Sequence, residues 1–311
     1  MFRLVLLAML LVVAAISPAT AQSETDVIAA RDQFIDGQHA LALRILLPAA
    51  DAGNAMAQNL VADAYASGLG GLPVDPAQAL TYMRLSAEQN YPRAHANLGL
   101  MHYYGMPGLD PDKVVARTYF ESALDMGETG MIALLASMWL SGEGGPASVT
   151  RGMALLQFGV QQNDPKSLHL LGLVYNDGIY VPANPELARN LIRRAADLGI
   201  VNAMLDYGQM LELGLGGNVD LLQAVDQYRG AVDQGNLEAA MRASAIILGD
   251  SQKFPDFVEA LVLCFWARDR AQAAQAVEYR RICEQTQTHF NFMGVNFANE
   301  RLLEMTIAES D

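Results

Sequence analysis

A glycine or asparagine closes one Ala-rich stretch after another at nearly constant intervals. These anchors are Gly53, Asn90, Gly127, Asn163, Gly199 and Gly235, separated by 37, 37, 36, 36 and 36 residues, and one further step of 36 reaches Ala271. A fixed period of this size is the signature of a repeat array, in which each unit must stack on its neighbours to bury its apolar face. The columns around the anchors repeat too. Eleven residues before them stand Ala42, Ala79, Ala116, Gly152, Ala188, Ala224 and Ala260; four before stand Ala49, Ser86, Ala123, Gly159, Ala195, Ala231 and Ala267. Small residues at all fourteen positions imply helices that approach closely.

Downstream, nine residues past each anchor, come Ala62, Gly99, Ala136, Gly172, Gly208 and Ser244. Twelve past come the mostly large Tyr65, His102, Trp139, Tyr175, Leu211 and Ile247, and fifteen past come Gly68, Gly105, Gly142, Gly178 and Gly214. Each unit therefore predicts two helices. The first carries its small residues seven apart on one face, with Ile45, Tyr82, Tyr119, Leu155 and Leu191 between them. The second opens after the anchor and stops at the closing glycine, which suits a left-handed helix end. Asp75-Pro76 and Asn184-Pro185 place a capping side chain before a first-turn proline, and Asp112, Asp220 and Asp256 hold the equivalent position.

The pattern A-x3-G-x3-A-x3-L-G-x2-Y-x2-G-x-G resembles the Sel1-like repeat, a relative of the tetratricopeptide repeat, whose own period is 34 residues. Units one to five follow it closely, over about Gln38 to Val219. The sixth has Asp250 for its closing glycine, and the seventh has Arg280 where a small residue belongs, as a terminal cap would. The expected fold class is all-α: an α/α solenoid of seven helix-turn-helix repeats over 38–74, 75–111, 112–147, 148–183, 184–219, 220–255 and 256–290. Amphipathic helices over Ser23–Asp36 and Asn296–Ala308 are expected to cover the two ends, within segments 22–37 and 291–311.

The extreme N-terminus reads as an export signal. Arg3 precedes an unbroken apolar run from Leu4 to Ile16, then Ser17, Pro18 and Ala19-Thr20-Ala21. A basic start, a short apolar stretch and an A-x-A site describe a leader over 1–21, cleaved after Ala21. Thirteen apolar residues are too few to span a bilayer, which takes about 20. The mature chain would hold 290 residues, carry a formal charge of −15 after loss of Arg3, and reside in the periplasm or outside the cell.

Composition narrows the function. With 52% hydrophobic and 17% charged residues the chain is not intrinsically disordered. A formal charge of −14 argues against nucleic acid and against anionic membrane surfaces, both of which recruit Lys and Arg. S-x-x-K, G-x-S-x-G, H-E-x-x-H and P-loop motifs are lacking in the sequence, so no catalytic residue, cofactor or metal is expected. His95 and His102, seven apart on one predicted helix, read as packing residues, because no Cys or carboxylate cluster joins them. Cys264 and Cys283 lie on the two helices of the last unit. Their offset of about four residues from the anchor, about 6 Å along the axes, strains the Cα separation a disulfide tolerates. That favours two buried thiols over a disulfide stapling the last hairpin.

The resemblance implies a scaffold for protein partners, with the first helices lining a concave groove. Six residues before the anchors stand Arg84, Arg193, Arg229 and Phe265, among others, and five before stand Arg194 and Trp266. Facing the groove, the arginines would cluster into a basic track able to hold a peptide's carboxylates by bidentate pairing, with Phe265 and Trp266 as apolar contacts. A solvated helix face is the plainer reading of the same column. The expected function is a periplasmic or secreted interaction scaffold; the alternatives are a cell-envelope hydrolase of the Sel1-like β-lactamase type or a purely structural spacer.

Overall fold

The computed structural model describes residues 23–249, 257–287, 298–299 and 301–302. Among them are fifteen α-helices, one 3-10 turn and no strand. The expected leader over 1–21, and all of the expected C-terminal helix except the helical stretches 298–299 and 301–302, lie outside the described residues. The chain divides into two compact units, Met1–Ala147 and Ser148–Asp311.

The first unit opens with α1 (Glu24–Ile35), whose N-terminus is closed by a capping box between Ser23 and Asp26. Three hairpins follow: α2 (His39–Asp51) with α3 (Ala55–Ser67), α4 (Pro76–Glu88) with α5 (Pro92–Tyr104), and α6 (Lys113–Asp125) with α7 (Ile132–Ser141). The second unit holds four: α8 (Val149–Gln161) with α9 (Pro165–Asp177), α10 (Pro185–Asp197) with α11 (Val201–Leu213), α12 (Leu221–Val232) with α13 (Leu237–Gly249), and α14 (Phe257–Arg270) with α15 (Ala273–Gln287).

The start and stop chemistry explains these limits. Asp75, Asp112, Asn184 and Asp220 each accept backbone N–H bonds at the first helix of a hairpin, and Ser148 does the same for α8; Asp256 lies outside the described residues. Each of the six Gly or Asn anchors has a positive φ, from 56° at Asn163 to 95° at Gly53. Asn90 and Asn163 are the two described non-glycine residues with that backbone, and both are anchors. Asparagine is the side chain that tolerates this region best. Two residues past the closing glycine, Gly144 and Gly216 lie so close to the first turn of their own hairpin that a Cβ would strike the carbonyls of Lys113 and Pro185.

The small columns form the seams. The residues eleven and four before the anchors are buried in all seven hairpins. Nine past the anchor, Gly99 on α5 accepts the Phe120 ring of α6, Gly172 on α9 accepts Ile192 of α10, and Gly208 on α11 accepts Tyr228 of α12; an added Cβ would stand 2.4–2.5 Å from those side chains. Where serine replaces glycine, Ser244 uses the space to donate a hydrogen bond of 2.8 Å to the Ala260 carbonyl. Leu46, Met83, Phe120, Leu156, Ile192, Tyr228 and Cys264, seven before the anchors, are at most 1% exposed. This column, rather than the adjoining one of Ile45 and Tyr82, fills the seams. Those neighbours instead meet the large residue of the preceding hairpin: Tyr82 stacks on Tyr65 and Tyr119 on His102.

Candidate partner-binding surface

Residues nine and two before the anchors are among those that first helices present to water. Arg44, Thr81, Thr118, Ala154, Asn190 and Asp226 are exposed, as are Asp51, Glu88, Asp125, Gln161, Asp197, Asp233 and Asp269. Six of the latter seven are carboxylates at or next to a helix C-terminus, where the helix dipole disfavours negative charge. Two of them are engaged: Arg268 Nε donates to Asp269 Oδ1 at 2.6 Å, and the Tyr82 hydroxyl of the next hairpin donates to Asp51 Oδ1 at 2.7 Å, where burial together with that bond pushes the phenol up to about 12.

The arginine column does not form a track. Arg84 in the first unit is exposed on α4, and Arg193 in the second is exposed on α10. Arg194 reaches back to the preceding hairpin and donates to Asn163 Oδ1 at 3.1 Å. Arg229 reaches forward instead. Its Nε and Nη2 donate to the two carboxylate oxygens of Glu259 at 2.7 and 2.8 Å, and its Nη1 to Asp226 at 2.8 Å. Those bonds raise its already high pKa, against the effect of burial. The expected cluster of Arg193, Arg194 and Arg229 is thus corrected for two of its members: Arg194 bonds back to Asn163 and Arg229 forward to Glu259, so the two guanidinium groups are drawn apart, while Arg193 is exposed. Arg229 and Glu259 line a cleft of about 390 Å³ together with Val232, Asp233, Val262, Leu263 and Arg301.

Phe265 and Trp266 also need correcting. Both are 2% exposed, and Arg268 and Arg270 lie over their rings at 4.7 and 4.8 Å. Every residue of α14 from Ala260 to Ala267 is buried, so over that stretch the face that inner first helices show to water is covered, and Asp269 beyond it is exposed. The cysteines are a third correction. Cys264 and Cys283 are joined by a disulfide, with sulfurs 2.02 Å and Cα atoms 5.7 Å apart. The expected strain came from treating the two helices as flush rods turning at 271. The Cα atoms nonetheless meet within bonding range.

Polar groups tie second helices of successive hairpins together, a feature the sequence pattern did not single out. In the first unit Asn97 Nδ2 donates to Asn59 Oδ1 at 3.1 Å and to Asp63 Oδ1 at 3.3 Å, and Asn59 Nδ2 reaches Asp63 Oδ2 at 3.4 Å. Burial pushes the Asp63 carboxyl up to about 6, with Arg93 pulling in the opposite direction. In the second unit His169 Nε2 meets Asp206 Oδ2 at 2.6 Å. Asn59 and His169 both stand six past an anchor, and Asn97 and Asp206 both stand seven past the next. Column alignment alone would have paired them.

Two arginines brace the closing loops. Arg117, 5% exposed, lies 3.2 Å from the centre of the Trp139 ring and donates to the Pro146 carbonyl. Arg189 donates to the carbonyls of Leu215 and Asn218. Both stand ten before an anchor. His95 and His102 flank the Tyr119 ring at 5.8 and 5.6 Å, and His95 Nε2 lies 3.0 Å from the Ala87 carbonyl oxygen. Among the described residues no group of three or more His, Cys, Asp or Glu converges as a metal site would, and no helix is long and apolar enough to cross a membrane.

Stacked helical hairpins with a 36–37-residue period define an α/α solenoid. The Sel1 repeat model matches residues 55–91, 92–128, 165–200 and 201–236, so these stretches are Sel1 repeats. Each match begins at a second helix and runs through the next hairpin's first. A Sel1 repeat protein from Oxalobacter formigenes has a similar solved structure, with a TM-score of 0.65 at 21% identity, covering 76% of this chain and 97% of that one. A protective antigen of uropathogenic Escherichia coli with an SLR fold superposes with a TM-score of 0.67 at 20% identity, covering 93% of this chain and 65% of that one. An uncharacterised Neisseria meningitidis serogroup B protein is 28% identical over 217 residues, 68% of this chain. The match spans 44% of that relative's length.

Proposed function

We propose that the chain is an exported scaffold that binds a protein partner through the exposed faces of its first helices. The observation that carries this reading is the division of labour within each repeat. The small columns and the column seven before the anchors are spent on the seams, while the columns nine and two before vary or carry charge and face water. Sel1 repeats typically mediate protein–protein interaction, which supports the same reading. Arg84 and Arg193, exposed on this face amid carboxylates, are the proposed contacts, with Arg194 at its edge. An exposed guanidinium set among acidic side chains offers a local site for a partner's carboxylate and contributes mainly to association rate and salt dependence. Export is supported by the leader-like residues 1–21 and by the Cys264–Cys283 bond, since disulfides persist in oxidising compartments.

Crosslinking the tagged chain in cells of its own organism, followed by capture from the envelope fraction, tests the reading. The expected result is a discrete partner that is lost from an Arg84→Glu, Arg193→Glu variant whose helical melt is unchanged. Full recovery by that variant would remove the arginines from the interface, and confinement of the chain to the cytoplasm would refute export.

A further inference from the structure

The last hairpin is built unlike the six before it. Its first helix is buried along eight consecutive residues, Ala260 to Ala267. Its second helix is the reverse. Of the described side chains of α15, Cys283 alone is buried, at 1% exposure, while Val277 is 74% exposed. By contrast α3 and α13 each bury seven residues. Second helices such as α5, α9 and α11 are gripped from two sides, by their own first helix and by a side chain of the next hairpin entering at Gly99, Gly172 or Gly208. Among the described residues α15 has no following hairpin to grip it.

The disulfide sits at the two columns that make this grip elsewhere. Cys264 is seven before the anchor, the column of Leu46, Met83, Phe120, Leu156, Ile192 and Tyr228. Cys283 is twelve past it, the column in which Tyr65 and His102 stack on the next hairpin. We propose that forming the Cys264–Cys283 bond is the event that docks α15, so that the last repeat closes only in the oxidised protein. The chemistry is thiol–disulfide exchange with a disulfide oxidant. One cysteine thiolate attacks the oxidant and expels a thiolate; the second cysteine attacks the resulting mixed disulfide and expels the other. Two electrons and two protons pass to the oxidant, which leaves as two thiols. Without the bond α14 remains seated by its own buried residues. A helix of 15 residues whose described side chains bury so little is marginal on its own in water, and the bond removes the freedom that opposes its docking. This holds whatever the compartment or partner proposed above.

The full chain is unfolded in denaturant and refolded with and without dithiothreitol. Thiols are then titrated, and amide hydrogen exchange is read by mass spectrometry. The expected result is two free thiols in the reduced chain, exchange about 100-fold faster across 273–287, and changes below about threefold in α12, α13 and α14. A Cys264→Ala, Cys283→Ala variant should reproduce that pattern without reductant; if it does not fold, the refolded natural chain decides. Full protection of α15 with two titrated thiols would show that packing alone docks it. Lost protection extending through α12–α14 would show that the bond holds the whole end of the array. Either result overturns the proposal.

Discussion

Replacing Gly99 by alanine sets two effects of opposite sign against each other. In mid-helix the change from glycine to alanine favours the helix by about 1 kcal/mol. Here the new methyl would stand 2.4 and 2.5 Å from two carbons of the Phe120 ring. That ring is 1% exposed and hemmed in by the seam between α5 and α6, so it cannot swing aside. Overpacking of this kind costs about 1–3 kcal/mol, so the net expectation is a loss of up to about 2 kcal/mol. The neighbouring seam supplies the remedy, because there Ala62 shares a buried cluster with Met83. Gly99→Ala combined with Phe120→Met rebuilds that pair. The double variant should be more stable than the sum of the single changes by about 1 kcal/mol or more, as contacting residues couple on this scale. Urea denaturation followed by circular dichroism measures all four corners of the cycle, with an unchanged slope as the check on comparability. If Gly99→Ala raises stability by the full helix-propensity value, or if the two changes simply add, the glycine is not there to admit the ring.

Three further outcomes follow from other sites. Asp63→Asn should stabilise the first unit at pH 7 by about 1–3 kcal/mol, because the folded carboxyl is pushed up from 3.8 to about 6. The charged form is what the fold disfavours, so in the natural protein this penalty is full above about 6 and disappears as pH falls towards 3.8; melts at pH 7 and pH 4 should differ by that amount relative to the variant, and a pH-independent difference would refute the assignment. Asn90→Ala should cost about 1–2 kcal/mol through its φ of 57°, whereas Asn90→Gly should be close to neutral, both read from urea melts. Arg117→Met should destabilise the closing loop at Pro146 beyond the loss of one surface charge, since the guanidinium is buried over Trp139; equal losses for Arg117→Met and for the exposed Arg44→Met would contradict this.

The repeat, its hairpins and the turn conformations were legible because they rest on local rules that recur. A left-handed anchor needs Gly or Asn, a helix start needs a capping oxygen, and a close seam needs Ala, Ser or Gly; successive copies make each rule visible as a column. Even so, the sequence pattern singled out Ile45 and Tyr82 between the small residues, when the fully buried column is the next one along. A one-residue shift turns a helical side chain by about 100°, and both columns are large and apolar, so hydrophobicity alone could not choose between them.

The candidate surface was less legible, because it depends on where long side chains end. Arg193, Arg194 and Arg229 occupy one stretch of a repeating pattern, yet Arg194 ends on Asn163 and Arg229 on Glu259, in opposite directions along the stack. Charge column by column says what is near the surface, while the reach of a guanidinium decides which acceptor neutralises it. Phe265 and Trp266 share their columns with solvent-facing residues and became core because α14 is covered on every side between Ala260 and Ala267. The disulfide was misjudged for a related reason. Sequence separation fixes how far apart two cysteines are along the chain, but only the seating of α15 against α14 brings their Cα atoms to 5.7 Å. Period, hairpins and seam chemistry are thus carried by the sequence itself, since they follow from backbone and side-chain size within one repeat. Ion pairing and end burial arise between repeats, and the disulfide between the two helices of the last one, where tertiary geometry decides.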